Sequence, residues 1–221
     1  MAAFDVRDLA PEDVEPLGDV IYEAFRDVAT KHGFRPTFDS PATASLLLNT
    51  FRATELATIV TAAEGAEPVG SASMNVRSET AGIGPVAVSP RAQAGGVGRA
   101  MMEELLRRAD AEGCTSVRLV QAGYNVTSFS LYSKLGFVVR DVVLSLEGRI
   151  EAPETDASAV REMRPEETAT AAALDTRLTG FRREPDFALL RGIGPGWVWE
   201  QDGIVRGYLL SLGASGSVHL G

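Results

Sequence analysis

Residues 86–102, Val86-Ala87-Val88-Ser89-Pro90-Arg91-Ala92-Gln93-Ala94-Gly95-Gly96-Val97-Gly98-Arg99-Ala100-Met101-Met102, constrain the fold more than any other stretch of the chain. Val86 to Val88 is a short β-branched run closed by Ser89-Pro90, which reads as the end of a buried strand. Beyond the glycines, Val97, Met101, Leu105 and Ala109 recur every fourth residue and define one face of a helix. In the loop between them, Gly95, Gly96 and Gly98 add no side chain to the approach of a ligand. The N–H groups at the helix start lack intrahelical partners and lie at the positive end of the helix dipole, so they suit an anion. Two known phosphate loops do not fit. A P-loop requires Gly-Lys-Ser/Thr where Gly98-Arg99-Ala100 stands, and a dinucleotide fingerprint requires a further glycine where Met101 stands. A glycine-rich turn with no ligand is the competing reading of the loop by itself.

What does fit is Gln-x-x-Gly-x-Gly, as Gln93, Gly96 and Gly98. With the preceding strand and the long helix after it, this resembles the acyl-CoA loop of the GNAT superfamily of N-acetyltransferases. A second stretch resembles that family's other signature. It is Asn125-Val126-Thr127-Ser128-Phe129-Ser130-Leu131-Tyr132-Ser133-Lys134-Leu135-Gly136-Phe137, with Asn125 followed by Leu131-Tyr132 and then Gly136-Phe137. Two matched stretches in the right order are far less expected by chance than one. The resemblance covers residues 1 to about 147 in organisation. Gln93 and Ala94 depart from it, standing where Arg and Gly are common.

The resemblance implies an acetyl-CoA-dependent transfer of an acetyl group to a primary amine of a small molecule or peptide, by direct attack. It implies a cofactor-binding set of Val86, Ala87, Val88, Gln93, Ala94, Gly95, Gly96, Val97, Gly98, Arg99, Asn125, Ser128 and Tyr132. In that set the backbone of Val86–Val88 pairs with the pantetheine amides, the Asn125 side chain contacts the same arm, and Arg99 adds charge for phosphate. An N–H near Val88 polarises the thioester, and Tyr132 is the catalytic acid that protonates the departing thiolate. A phenol with a pKa of about 10 is almost fully protonated at neutral pH and available for that task. For Tyr132 the alternative is a core aromatic. For the whole chain it is a non-catalytic acyl-CoA-binding sensor or scaffold. Glu23, His32 and Glu79 are candidates for a general base, and the loop Lys31–Asp39, with Phe34, Phe38 and His32, is a candidate acceptor surface.

Taken in order, the chain reads β-α-α-β-β-β-α-β-α-β, a mixed α/β sheet with helices on both faces. The expected strands are 3–9, 56–63, 68–76, 81–88, 115–120 and 137–146. The expected helices run from Pro11 to Gly33, from Ser40-Pro41 onward, over 96–112 and over 125–135. Glycines and Pro85 inside the fourth strand predict a bulge that splays it from its neighbour. Residues 1–148 therefore form the GNAT-like domain and 149–157 a linker. Residues 158–221 form a partial second GNAT-like β-α-α-β-β unit without a cofactor site. Val160–Glu167 lies over Val6–Asp13 at an offset of 154, and Gly207, Val218 and Leu220 match Gly70, Ala81 and Ile83 at an offset of 137. An open sheet edge in that unit is expected to pack on the first domain or a second chain, burying Trp197, Val198, Trp199, Tyr208 and Leu209.

The net charge of −9, of which −6 lies in residues 1–148, argues against a nucleic-acid partner and leans toward a cationic acceptor. No apolar run reaches membrane-spanning length and the start lacks an export signal, so a cytoplasmic protein with no membrane partner is expected. A homodimer is the remaining partner expectation. The single cysteine, Cys114, reads as a small core residue, and with His32 and His219 it makes no metal constellation.

Overall fold

The computed structural model describes residues 4–53, 57–65, 67–77, 79–144, 159–180, 182–214 and 217–220. The expected elements over residues 4–134 are present within a few residues of their expected bounds. They are β1 (Asp5–Asp8), α1 (Val14–Lys31), α2 (Pro41–Ala53), β2 (Ala57–Glu64), β3 (Glu67–Arg77), β4 (Thr80–Val88), α3 (Val97–Ala111), β5 (Ser116–Leu119) and α4 (Val126–Lys134). A short 3-10 turn at Pro11–Asp13 precedes α1. The five strands form one sheet in the order β1-β2-β3-β4-β5, antiparallel except for the β4–β5 pair.

Alternation along the strands sends side chains to two faces, and each face has its own core. One face packs Val60, Ala62, Val69, Ala72 and Met74 against Val97, Met101, Met102, Leu105 and Ala109 of α3. The other packs Ile59 and Ala87 against Leu17, Val20 and Ile21 of α1 and Leu48 of α2. Cys114 packs at the edge of the α3 core, where burial pushes its thiol pKa up, as fits a structural cysteine.

The expected strand at 137–146 is a correction. Residues 137–144 have no ladder partner among the described residues, while 145–146 lie outside them. Val138, Val139, Val142, Val143 and Leu144 are 69–77% exposed. Their paired spacing, broken by Arg140-Asp141, puts apolar groups on both sides of an extended chain, and a half-buried strand needs them on one.

The described remainder builds β6 (Val160–Glu162), α5 (Thr168–Thr179), α6 (Glu184–Ile193), β7 (Gly196–Gln201), β8 (Ile204–Ala214) and β9 (Ser217–Leu220). These strands form a second sheet in the order β6-β7-β8-β9, all antiparallel. The chain divides into two compact units, 1–140 and 141–221. The linker expected at 149–157 lies outside the described residues.

The second unit repeats the first in its bonds as well as its order. Arg7 donates twice to Asp13, at 2.6 and 2.8 Å, and the Ala10 N–H donates to the same carboxylate at 2.8 Å. Offset by 154, Arg161 donates twice to Glu167, at 2.8 and 2.6 Å, and the Arg164 N–H donates to it at 2.8 Å. The β2–β3 ladder shifts register between Ala62 and Ala63, and the β7–β8 ladder shifts between Trp199 and Glu200, offset by 137. The β3–β4 partners Met74–Ile83 and Asn75–Gly82 likewise recur as Ser211–Leu220 and Leu212–His219.

Asp13 is 3% exposed and its carboxyl is held below the usual range, chiefly by the hydrogen bonds from Arg7. Asp13→Ala strands a part-buried N–H and a guanidinium, and is expected to cost about 1–3 kcal/mol. Because the folded-state pKa is the lower one, this contribution is complete above the unfolded carboxylate pKa of about 4. It fades as pH falls through the folded value. Urea midpoints for the two proteins should therefore differ at neutral pH and converge in acid.

No helix among the described residues is long and apolar enough to cross a membrane. No group of His, Cys, Asp and Glu among them is placed to hold a metal.

Candidate active site

β4 pairs with β3 along nearly its whole length, but its ladder to β5 stops at Ile83–Leu119. Residues 84–88 therefore keep one bonded edge and have one edge beyond the β5 ladder. Hydrogen-bonded and non-bonded pairs alternate across an antiparallel ladder. The Ser89 N–H donates to the Val69 carbonyl at 2.8 Å, so Ala87–Ser71 is the next bonded pair. Val86 and Val88, in the non-bonded pairs, turn their N–H and C=O groups to the open edge. The bulge expected in β4 falls where the β3–β4 register shifts between Ala72 and Met74, just past the end of the β5 ladder.

The loop after β4 is a 3-10 turn, Pro90–Ala92, followed by exposed Gln93–Gly96. Ala94 at φ 63° and Gly96 at φ 92° take left-handed backbone, and Gly96 caps α3 with no side chain bonded to the helix start. The first helical bond runs from Ala100 N–H to the Gly96 carbonyl at 3.0 Å, which leaves the N–H groups of Val97, Gly98 and Arg99 without an intrahelical acceptor. Gln93 donates from Nε2 to the Val88 carbonyl at 3.1 Å and ties the loop to the open strand edge. Gly98 makes room for close packing: a Cβ there would sit 3.4 Å from Leu131 Cδ2 and 3.5 Å from Val88 Cγ2. Arg99 donates to Glu103 at 2.8 Å, one turn along the helix, and Arg91 is paired with Glu67. Backbone N–H groups therefore supply most of the loop's attraction for an anion.

Asn125 caps α4, its Oδ1 accepting from the Ser128 N–H at 3.2 Å, and its amide NH2 has no acceptor among the described residues. Ser128 Oγ is held by Gln121 and by the Asn125 carbonyl, the latter at 3.1 Å. Leu131 and Tyr132 pack on the α3-side core together with Val86 and Val88. Tyr132 is half-buried, edge-on to Phe137 at 5.9 Å between centroids, and burial pushes its pKa up. The phenol is thereby kept protonated at neutral pH.

Past Leu119 the chain continues through Gln121 to Tyr124, which forms a wall that sequence reasoning did not find. The Tyr124 ring stacks on Phe34 at 4.4 Å and on His32 at 5.2 Å, joining the loop after α1 to the segment that leads into α4. Nothing local in the sequence links positions 32 and 124; only the topology brings them together. His32 Nδ1 lies 2.9 Å from the Val28 carbonyl, which can only accept, so Nδ1 is the donor of that bond. Glu23 is an exposed residue of α1. Glu79 stands at the far end of β4, beside Thr115, roughly 25–30 Å of strand from Val88. It is too remote to serve at the open edge.

The acetyltransferase (GNAT) family model matches residues 19–137, which include the open edge, the loop and α4. The chain belongs to the GNAT acetyltransferase family. Among solved structures, a putative acetyltransferase from Pyrococcus horikoshii superposes with a TM-score of 0.67 at 18% identity, over 96% of this chain and 68% of that one. That match extends past the GNAT domain into the second unit. An N-acetyltransferase from Thermoplasma acidophilum in complex with coenzyme A gives 0.57 at 19% identity, over 64% of this chain and 93% of that one. A predicted acetyltransferase from Clostridium acetobutylicum with acetyl-CoA gives 0.52 at 17%, over 66% and 96%. At these identities the structures share the GNAT fold with this chain. No curated protein sequence matches it.

Proposed function

We propose that the chain is an acetyl-CoA-dependent N-acetyltransferase acting on a primary amine of a small molecule or peptide. The observation that carries this reading is the open edge of β4 running directly into an uncapped helix N-terminus, with a protonated, half-buried tyrosine packed on the same strand. An arm with amide groups fits that edge as an added strand, and a pyrophosphate fits the N–H groups of Val97–Arg99. Solved relatives hold coenzyme A or acetyl-CoA, in keeping with this assignment.

Acetyl-CoA supplies an acyl carbon activated as a thioester. The Val88 N–H holds the carbonyl oxygen as negative charge develops there. The Asn125 amide NH2 steadies the pantetheine arm. His32 Nε2 takes a proton from the substrate ammonium, so that a neutral nitrogen can attack and form the C–N bond. As the C–S bond breaks, Tyr132 gives its proton to the thiolate and regains one from the nitrogen by way of solvent. One proton ends on the thiol and one in water.

Thioester cleavage followed over a panel of amines tests the reading: amine-dependent release of free thiol supports it. Binding of acetyl-CoA with no turnover on any amine would leave an acyl-CoA-binding module instead. His32→Gln is expected to lower turnover about 10–100-fold at neutral pH, at the low end for acid–base catalysis because water can relay the proton at an exposed site. Activity should recover as pH rises and the acceptor amine loses its proton without help. A flat deficit across pH would remove His32 from the role.

A further inference from the structure

We propose that Tyr124 is a positioning residue for His32, its ring fixing the plane of the imidazole. The inference rests on the reading of His32 as the base, and adds the group that aims it.

His32 reaches its place through the end of α1. The chain there is Ala29-Thr30-Lys31-His32-Gly33-Phe34, and Gly33 takes left-handed backbone at φ 75°. The Phe34 N–H donates to the Ala29 carbonyl at 3.0 Å, and the Gly33 N–H to the Thr30 carbonyl at 3.1 Å. Those two bonds close a Schellman cap, which fixes the backbone on both sides of the glycine. A contact of the residue after the glycine back onto the last turn often accompanies such a cap. Here Phe34 is 55% exposed and its ring lies on Tyr124, with 4.4 Å between centroids and 13° between planes. His32, on the other side of the glycine, stacks on Tyr124 at 5.2 Å and 27°.

Tyr124 is anchored independently of that cap. The Asn125 N–H donates to the Ala122 carbonyl at 2.9 Å and the Val126 N–H to the Tyr124 carbonyl at 3.0 Å, a tight turn that runs straight into α4. Asn125 then caps that helix. Two consecutive residues thus carry the ring stacked on His32 and the amide assigned to the pantetheine arm. A base aimed by Tyr124 is therefore aimed relative to the acyl donor, the placement that proton transfer needs.

The imidazole depends on that hold. His32 is exposed, and its one hydrogen bond among the described residues runs from Nδ1 to the Val28 carbonyl at 2.9 Å. Without the stack the side chain has three staggered wells at χ1 and two broad ones at χ2, so the productive arrangement is diluted about 3–6-fold. No hydrogen bond among the described residues engages the Tyr124 hydroxyl, so the ring face is what acts.

The chain has two histidines, His32 and His219, so the ring resonances of His32 are assigned by their loss in His32→Gln. In the full chain they are expected upfield, because the imidazole lies over the Tyr124 face. They should move toward free-imidazole positions in Tyr124→Ala and return in Tyr124→Phe. Thiol release with an accepted amine should fall about 3–6-fold in kcat in Tyr124→Ala, with little change in KM for acetyl-CoA, and recover in Tyr124→Phe. In a His32→Gln background, Tyr124→Ala should cost nothing further. Tyr124 is half-buried and belongs to neither core of its unit, and circular dichroism checks that the variants fold. Unmoved His32 resonances, or an equal loss with and without His32, overturn the role of Tyr124 and leave the base assignment standing. Moved resonances beside turnover that is absent, or indifferent to His32→Gln, overturn the base assignment and this role with it.

Discussion

Replacing Tyr132 with Phe is expected to lower turnover by about 10²–10⁴-fold, the usual contribution of a positioned acid, while acetyl-CoA affinity changes little. The ring keeps its place: Phe retains the edge contact with Phe137 and the packing beside Val86 and Val88. Only the hydroxyl is lost, and it has no hydrogen-bond partner among the described residues that its removal would strand. Stability should therefore hold, which separates an acid from a core aromatic. Steady-state kinetics with a thiol reagent, beside calorimetric titration of acetyl-CoA, makes the measurement. Full activity in Tyr132→Phe would return the residue to packing alone.

The second large effect is at Gly98. The space beside its Cα is bounded by Leu131 Cδ2 and Val88 Cγ2 at 3.4 and 3.5 Å from an added Cβ, which is ordinary contact. Gly98→Ala therefore fits and is expected to bind acetyl-CoA within a few-fold of the parent. Gly98→Val adds two methyl groups to a filled gap, and such overpacking costs about 1–3 kcal/mol as the helix start is pushed from β4. The Val97–Arg99 N–H groups and the Val88 edge then no longer address one ligand together. Acetyl-CoA affinity should fall by about 10²-fold or more, equal to roughly 2.7 kcal/mol. Unchanged affinity in a folded Gly98→Val protein would remove the loop from the binding site.

The elements around the loop were legible because their determinants are local. Ser40-Pro41 opens α2, Gly33 and Gly113 take left-handed backbone after α1 and α3, and Gly96 does so at the start of α3. At the offsets of 154 and 137 the two units share Arg–carboxylate pairs and register shifts. What could not be read depends on chain segments meeting across the fold. The Tyr124 stack joins residues some 90 positions apart, and the fate of the valines at 138–143 turned on whether a ladder partner was at hand. The burial expected for the second unit divides the same way. Val198 is buried and Tyr208 part-buried against the unit's own helices, with Tyr208 donating to Asp175 at 2.5 Å, whereas Trp199 remains exposed.

The ladder that holds β4 against β3 has a consequence for binding kinetics. Val86 and Val88 are aimed by the bonds that their neighbours Ala87 and Ser89 make to β3, which exist whether or not a ligand is present. The ordering entropy of that edge is settled when the protein folds, so association requires no strand rearrangement. Acetyl-CoA should therefore bind in a single phase whose rate rises linearly with concentration. Variants of the loop should differ in how long the ligand stays rather than in how fast it arrives.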